Sequence, residues 1–243
     1  YLHYHQAKHK IFNGCENVVV NRDDALSAPM LKPGVKVTSF GLSKPDLKQF
    51  GIVEQDSKEY LAKFNESLLE VSALKIKGSH NRSNALAALA LGEAVGLDTE
   101  SMLGTLQEFS GLEHRCQWLK NSNGVDYFND SKGTNVGATV AALEGLGPDT
   151  RGDIILMAGG VAKDADFSLM KAAVKQYVKT LVLYGQDKLS LAQALEGVAE
   201  IKLANSFDEA FKLSNSFAQS GDAVVLSPAC ASFDMFKSFE HRG

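Results

Sequence analysis

The sequence predicts an α/β protein in two parts: an α+β part, then a domain with a mostly parallel sheet. The first observation is a change of rhythm near residue 111, where short strands and turns give way to apolar runs alternating with helices. Four such runs separated by helical segments require crossover connections, and therefore a parallel, doubly wound sheet. The chain has 243 residues, of which 44% are hydrophobic. That is enough for one large or two modest domains.

Residues 1–111 form the first predicted part. Alternating and Val-rich segments predict strands, and Ala- and Leu-rich segments predict helices. A polar run at residues 80–84 opens the longest helix, and Gly96 fits its C-terminal stop. The predicted strands are 16–21, 35–42, 51–55, 60–64 and 68–76, and the predicted helices are 1–12, 80–95 and 99–109, with a helical turn at 22–26.

Residues 112–243 form the second predicted part. Its predicted strands are 124–129, 153–158, 180–184 and 222–226, and its predicted helices are 136–146, 167–178, 189–195 and 206–219. Parallel strands end at the same edge of a sheet, so the loops that follow them lie side by side. Those loops are 129–135, 159–164, 185–187 and 227–232. Three of them are rich in Gly, Ser, Lys and Asp, and we expect them to line one ligand-binding crevice.

Composition and termini narrow the class of protein. A net charge of -4, from 25 basic and 29 acidic residues, argues against nucleic acid as a partner. No apolar run approaches the roughly 18 residues of a membrane span, and no signal peptide is visible. The three cysteines are few and widely spaced, which suits reduced thiols in the cytoplasm. Because the first residue is not Met and both ends are predicted to fall inside elements, we expect a piece of a longer protein.

The run Asp-Ser-Lys-Gly-Thr at residues 130–134 is the strongest local signal. It follows a predicted strand and precedes a helix, where open α/β sheets bind ligands. The carboxylate of Asp130 could accept hydrogen bonds from ribose hydroxyls. The ammonium of Lys132 could pair with a carboxylate or phosphate, and Thr134 could present a hydroxyl at the helix N-terminus. The alternative is a helix cap and a solvated turn, since Ser, Thr and Asp all cap helices.

Two further loops carry candidate residues. Paired glycines in the loop 159–164 would let backbone approach a ligand, and Lys163 supplies a cation. A tight turn with a surface lysine is the alternative there, and the spacing is not that of a phosphate-binding P-loop. In the loop 227–232, Ser232 could donate to a carboxylate. Cys230 could be catalytic, but a small buried hydrophobic residue is the favoured interpretation.

Two pairs of polar residues complete the candidates. Asn81 and Asn84 lie three apart in the first turn of a helix, so they share a face that could read an adenine edge. Simple helix capping is the alternative. His114 and Arg115 follow the predicted domain boundary, where Arg115 could reach a nucleotide phosphate. A salt bridge at the boundary is the alternative.

These residues resemble the Mur ligases of bacterial cell-wall synthesis along essentially the whole chain. The Asp-Ser-Lys-Gly-Thr-Asn and Ser-Pro-Ala-Cys-Ala-Ser runs are similar to those of the D-glutamate-adding members. The resemblance is carried by residues 4–8, 21–25, 80–88, 111–115, 129–135 and 227–233.

The resemblance implies a fold, a reaction and partners. Residues 1–111 would be the C-terminal part of a central ATP-binding domain, and residues 112–243 a Rossmann-like domain that binds the amino-acid substrate. The reaction would be ATP-dependent amide ligation through an acyl phosphate, with ATP and magnesium as cofactors. UDP-N-acetylmuramoyl-L-alanine and D-glutamate would be the substrates of a cytoplasmic monomer.

The resemblance also assigns roles residue by residue. It matches Lys8 to a carbamylated lysine that ligates magnesium, and Lys132 to an active-site lysine of open role. The residues matched to the nucleotide are Asn81, Asn84, His114, Arg115 and Asp130, and those matched to D-glutamate are Thr134, Lys163, Ser232 and Phe239. Of these, Lys8, Lys132 and Arg115 are the expected catalytic residues.

One departure from the family limits these expectations. The UDP-binding domain and the P-loop of the central domain are not in these 243 residues, so we expect this chain alone to be inactive. Two alternatives stay open. One is a related ligase that adds another amino acid to a muramoyl peptide, or glutamate to folate. The other is a non-catalytic Rossmann-like module that binds a nucleotide or metabolite, because fold does not determine function.

Overall fold

Two separate β-sheets organise the chain. A computed structural model describes residues 2–30, 33–47 and 49–243. The chain divides into two units, the first formed by residues up to Lys75 with Asn81–Phe109, and the second by Ile76–His80 with Ser110–Gly243. Both units combine helices with sheets that contain parallel strands. The α/β class predicted from the sequence is therefore confirmed.

The first unit contains a mixed five-stranded sheet in the order β1-β2-β3-β4-β5. Strands β1 to β3 pair in parallel, and β3, β4 and β5 pair antiparallel. The bounds are α1 Leu2–His9, β1 Asn17–Asn21, β2 Lys36–Phe40, β3 Gln49–Gln55, β4 Lys58–Lys63, β5 Glu66–Glu70, α2 Ser79–Ala94 and α3 Thr99–Glu108. Tyr1, where the predicted first helix starts, is outside the described residues.

Turn chemistry explains the antiparallel part of this sheet. Asp56 and Ser57 both have positive φ, which is the geometry of the two-residue turns that join hairpin strands. The predicted strand 68–76 is too long, because β5 ends at Glu70 and a single 3₁₀ turn follows at Val71–Ala73. The predicted helical turn at 22–26 is also displaced: Asp24 caps a 3₁₀ turn at Ala25–Ser27.

The second unit contains a six-stranded sheet in the order β10-β9-β8-β11-β7-β6. All neighbouring strands pair in parallel except β6 and β7, which form an antiparallel hairpin. The bounds are β6 Gln117–Ser122, β7 Val125–Asn129, α4 Val136–Leu146, β8 Ile154–Gly159, α5 Lys171–Tyr177, β9 Val178–Tyr184, α6 Lys188–Ala194, β10 Glu200–Leu203, α7 Phe207–Phe217, β11 Ala223–Leu226 and α8 Phe239–Arg242. The mostly parallel sheet predicted for this region is confirmed.

The prediction of four strands in this sheet is wrong, because the sheet has six strands and the two at its edges, β6 and β10, were not predicted. Asn123 and Gly124, both with positive φ, form the β6–β7 turn. Asn-Gly is a strong hairpin signal, so β6 was detectable from the sequence. Strand β10 has only four residues and two of them are charged, so its pattern resembles a surface loop.

Hydrophobic cores lie on both faces of this sheet. Side chains of α4, α5 and α6, among them Leu143, Val174 and Leu191, pack on one face. Side chains of α7, among them Phe207 and Ala210, pack on the other. Within the part of the chain that the structure describes, no helix is both long and apolar enough to cross a bilayer. The doubly covered sheet leaves its carboxyl edge free to carry loops.

Candidate functional site

The loops at the carboxyl edge of the second sheet are joined by backbone hydrogen bonds. The N–H of Ala229 donates to the Gly133 carbonyl at 2.9 Å, which joins the loop after β11 to the loop after β7. Val161 and Ala231 exchange hydrogen bonds of 2.9 and 3.0 Å, which join the loop after β8 to the loop after β11. The Asp187 N–H donates to the Gly160 carbonyl at 3.0 Å. The four loops therefore form one connected surface.

A glycine permits one of these approaches. Gly160 has a φ of +131°, which residues with a side chain rarely adopt. A Cβ atom at this position would lie 2.0 Å from the Ala231 carbonyl oxygen. The loops after β8 and β11 can thus meet only because Gly160 has no side chain.

Asp130 is buried at the end of β7, and both of its carboxylate oxygens accept hydrogen bonds. Its Oδ1 accepts from the Cys116 backbone N–H at 3.1 Å, and its Oδ2 accepts from the Ser227 hydroxyl at 2.7 Å. Ser227 in turn lies 3.0 Å from the Thr139 hydroxyl. Burial raises the pKa of Asp130 to about 6, although these hydrogen bonds and the charges of two arginines oppose that shift. The carboxylate is therefore fixed in position and costly to ionise.

The Phe239 ring contacts two other predicted site residues, Lys132 and His114. The Lys132 ammonium lies 3.7 Å from the centroid of the Phe239 ring, a cation–π contact. The His114 ring meets Phe239 edge-on, with 6.0 Å between centroids. The Lys132 N–H donates to the His114 carbonyl at 2.9 Å. Three of the predicted site residues, from three separate segments, are thus brought into contact.

Arg242 joins these segments, and the sequence analysis did not identify it. Its side chain is 3% exposed. The guanidinium donates to the Ser131 hydroxyl at 3.0 Å, to the Ser131 carbonyl at 2.8 Å and to the Cys230 carbonyl at 3.2 Å. The Ser131 hydroxyl donates to the Phe239 carbonyl at 2.7 Å. Arg242 therefore ties α8 to the loops after β7 and β11, and an arginine in a polar segment carries no sequence signal of this burial.

The residues predicted for an acidic substrate lie on the connected loops. Thr134 is half-buried, and its N–H donates to the Lys132 carbonyl at 2.8 Å. Lys163 is exposed, with its ammonium 5.8 Å from the centroid of the Phe233 ring. A cleft of about 730 Å³ lies beside Lys163, between its loop and α6. Ser232 is 2% exposed, and the Val161–Ala231 bridge holds its loop next to that of Lys163.

Cys230, the possible nucleophile, is fully buried. Burial raises the pKa of its thiol to about 12, so the reactive thiolate is disfavoured. Its carbonyl accepts from Arg242, and its side chain packs in the core on the α4 side of the sheet. These observations favour the packing role.

Three predicted residues lie in the first unit. The Asn84 amide donates to the Asn81 Oδ1 at 3.3 Å within the first turn of α2. Lys8, the third, is exposed on α1, and its ammonium lies 5.4 Å from the centroid of the Tyr4 ring. Arg115, by contrast, is exposed in the second unit, next to His114. The structure therefore divides the predicted nucleotide residues between the two units.

Two stretches of the chain match known protein-family models. Residues 114–230 match the model of the Mur ligase glutamate ligase domain, and residues 1–92 match that of the Mur ligase middle domain. The chain belongs to the Mur ligase family. The sheet edge of connected loops lies almost entirely within the stretch that matches the glutamate ligase domain.

Individual relatives are similar along the whole of this Mur ligase chain. A protein of Pseudomonas syringae pv. tomato named UDP-N-acetylmuramoylalanine–D-glutamate ligase is 54% identical over 240 residues, 99% of this chain and 54% of the relative. A protein of the same name from Acinetobacter baylyi is 50% identical over 246 residues, 100% of this chain and 55% of the relative. The chain therefore spans about half the length of the curated relatives it matches.

A solved structure shares the fold. The UDP-N-acetylmuramate-alanine ligase of Thermotoga maritima matches 94% of this chain and 51% of its own, with a TM-score of 0.65 and 18% identity. At that identity the similarity concerns the fold alone. It supports the arrangement of elements described for each unit.

Proposed function

We propose that this chain is part of an ATP-dependent ligase that adds D-glutamate to UDP-N-acetylmuramoyl-L-alanine. The observation that carries the proposal is the name shared by relatives that are 50–54% identical along 99–100% of this chain. In the proposed reaction, the substrate carboxylate attacks the γ-phosphorus of ATP, forming an acyl phosphate and releasing ADP. The D-glutamate amine then attacks the acyl carbon, losing a proton as phosphate leaves and an amide forms.

The nucleotide side of this site uses Asp130 and its neighbours. The hydrogen bonds from Cys116 and Ser227 to Asp130 leave each carboxylate oxygen a second lone pair. Those lone pairs can accept from ribose hydroxyls. Arg115, exposed and cationic, is suited to the phosphates. Asn81 and Asn84, which hydrogen-bond to each other on α2, keep a separate proposed role in reading an adenine edge.

The amino-acid side uses cations and hydroxyls, because D-glutamate carries two carboxylates. Lys163 supplies an exposed ammonium, and Thr134 and Ser232 supply hydroxyls on loops that are connected to its own. Charge-assisted hydrogen bonds of this kind bind carboxylates well. Phe239 is proposed to line the D-glutamate pocket. The Lys132 ammonium lies 3.7 Å from the centroid of its ring, where that cation can stabilise an anionic intermediate.

Magnesium is proposed to enter with the phosphates of ATP. Across residues 2–30, 33–47 and 49–243, no cluster of three or more His, Cys, Asp or Glu side chains could hold a metal ion. An ammonium does not ligate metals, so Lys8 could contribute only as a carbamate, which its exposure permits. Bound magnesium would neutralise charge on the transferring phosphoryl group.

The remaining proposals concern the chain as a whole. We infer that residues 1–111 contribute to ATP binding and residues 112–243 to amino-acid binding, in a cytoplasmic, monomeric enzyme. The family matches at 1–92 and 114–230 support that division. The 243-residue chain alone is expected to lack ligase activity, since phosphoryl transfer needs a phosphate cradle.

The test is ADP release by the whole gene product that contains this chain. Release should require both UDP-N-acetylmuramoyl-L-alanine and D-glutamate, and L-glutamate or diaminopimelate should not replace D-glutamate. Nucleotide binding without ADP release under any of these conditions would favour a binding module. Equal release with diaminopimelate or L-glutamate would favour another ligase of the family.

One substitution and its control test the amino-acid side of the site. Lys163→Met should raise the KM for D-glutamate about tenfold or more and leave the KM for ATP unchanged, because one charge-assisted hydrogen bond contributes about 1.5–3 kcal/mol. Lys175→Met is the matched control, since Lys175 is an exposed lysine on α5. An equal effect of both substitutions on the KM for D-glutamate would contradict the assignment of Lys163.

A further inference from the structure

The side-chain amide of Asn129 makes three hydrogen bonds at the centre of the candidate site. Its Oδ1 accepts from the Ser131 backbone N–H at 3.0 Å. Its Nδ2 lies 3.1 Å from the Gly243 carbonyl oxygen and 3.0 Å from Nδ1 of His114. Asn129 is 4% exposed, so these contacts satisfy an amide that has almost no access to water.

The orientation of this amide follows from its partners. A backbone N–H can only donate, so the atom that faces Ser131 must be the amide oxygen. A carbonyl can only accept, so the atom that faces Gly243 must be the amide nitrogen. Both partners give the same assignment, and the usual ambiguity between the two ends of an asparagine amide does not arise here.

This orientation determines the protonation of the imidazole. Because Nδ2 of Asn129 is a donor, Nδ1 of His114 must accept and therefore carries a lone pair. The proton of the neutral ring is then on Nε2. Among the residues that the structure describes, none forms a hydrogen bond with Nε2 of His114. The ring therefore presents an unused N–H donor.

The surrounding backbone and rings hold this geometry. A Cβ atom on Gly243 would lie 2.2 Å from Nδ1 of His114 and 2.8 Å from Nδ2 of Asn129, so only glycine allows this packing. Phe239 meets the imidazole edge-on. The His114 backbone, with a φ of +62°, accepts the Lys132 N–H. The imidazole is thus restrained on three sides.

We propose that Asn129 is a positioning residue that holds His114 as an Nε2–H donor to a phosphate oxygen of the bound nucleotide. The choice of ligand rests on the proposed function, because Arg115 beside His114 offers the cation that a phosphate requires. The tautomer does not rest on it, because hydrogen bonds within the second unit determine it. A neutral donor binds a phosphate oxygen without changing the net charge of the site.

The tautomer can be measured directly in the 243-residue chain. Two-bond ¹H–¹⁵N NMR spectra at about pH 8, where imidazoles are mostly neutral, distinguish a protonated Nε2 from a protonated Nδ1. His114→Gln identifies the signals among the six histidines. We expect a protonated Nε2 and a bare Nδ1. A protonated Nδ1 of His114 in the unsubstituted chain would overturn the proposal.

Substitutions at Asn129 test the cause. Asn129→Asp presents a carboxylate that can only accept, so it should move the proton to Nδ1. Asn129→Ala removes the donor without adding charge and should give a mixture of tautomers. Asn135→Asp is the matched control, because Asn135 lies in the same loop and its Oδ1 only accepts, from Ala138 N–H. Unchanged His114 signals in both Asn129 variants would overturn the proposal.

The consequence for the ligand is measured in the whole gene product. Asn129→Ala should lower kcat/KM for ATP about tenfold, the contribution of one charge-assisted hydrogen bond, and leave the KM for D-glutamate unchanged. An unchanged kcat/KM for ATP, despite an altered tautomer, would overturn the donor role. Failure of the ligase proposal would instead appear as an absence of D-glutamate-dependent ADP release in the unsubstituted protein, while the tautomer stayed as inferred.

Discussion

Asp130→Asn should make the second unit more stable above pH 6 while it weakens nucleotide binding. The carboxylate is 8% exposed, and burial is the largest influence on its ionisation. Asparagine has nearly the same shape and can keep both hydrogen bonds. Its Oδ1 would still accept from Cys116, and its amide would donate to Ser227, whose hydroxyl can turn to donate to Thr139 at 3.0 Å.

The magnitude follows from the ionisation of Asp130. Its pKa rises from 3.8 in the unfolded chain to about 6 in the folded one. Because the folded state binds this proton more tightly, ionisation destabilises it, and stability falls as the pH rises from about 4 to about 6. Roughly two pKa units correspond to about 3 kcal/mol. The uncharged variant should therefore be about 3 kcal/mol more stable at pH 8 and nearly equal to the unsubstituted chain at pH 4.

The assay is urea unfolding followed by tryptophan fluorescence at a series of pH values. Trp118 is the single tryptophan and lies on β6, so its signal reports the second unit alone. Its indole N–H donates to Asp126 at 3.0 Å in the folded state. The quantity of interest is the difference in unfolding free energy between variant and unsubstituted chain, because this difference removes the contributions of the other titrating groups.

Asp153→Asn is the control, because Asp153 is an exposed carboxylate in the same unit. Its effect should stay within about 0.5 kcal/mol and should not depend on pH. The reasoning is refuted if Asp130→Asn is less stable than the unsubstituted chain at pH 8. It is also refuted if the difference between the two is the same at pH 4 and pH 8, because the cost would then not come from ionisation.

Three further predictions use the same chain. Arg242→Met should lower the free energy of unfolding by about 3 kcal/mol in the urea assay, because it leaves buried carbonyls without donors. The control Arg151→Met, at an exposed arginine, should change it by less than about 0.5 kcal/mol, and equal effects would contradict the role of Arg242. Gly160→Ala should lower the free energy of unfolding by about 3 kcal/mol or more, since the added Cβ would lie 2.0 Å from a backbone oxygen. An unchanged urea midpoint would exclude that contact. Iodoacetamide followed by mass spectrometry should label the half-buried Cys15 in the folded chain and Cys230 only after unfolding; early labelling of Cys230 would contradict its packing role.

Most of the second unit could be predicted because its signals are local. The four apolar runs are long enough to be buried strands, and the helices between them begin at recognisable caps such as Asn135 and Ser206. Strand β10 could not be predicted, because an edge strand in contact with water needs few apolar residues. Hydrogen bonds to β9, supplied by the rest of the sheet, create it.

The candidate site was predicted only in part. Its loops were predictable, since parallel strands place their carboxyl ends together. The partners within it were not, because they are far apart in sequence. Asn129 and Gly243 are 114 positions apart, and Ser131 and Arg242 are 111. No periodicity or motif relates residues at such distances.

The class of fold, the order of the main elements and the loops that carry the site follow from the sequence alone, because short-range hydrophobic patterns and turn chemistry specify them. Its resemblance to the Mur ligases supplied the roles that remain to be tested. Which side chains are buried, and which groups they contact, became known from the folded arrangement. The raised pKa of Asp130, the three hydrogen bonds of Arg242 and the orientation of Asn129 toward His114 all arise when distant segments exclude water together. Desolvation and hydrogen-bond geometry belong to that packed state, so no single segment of the chain encodes them.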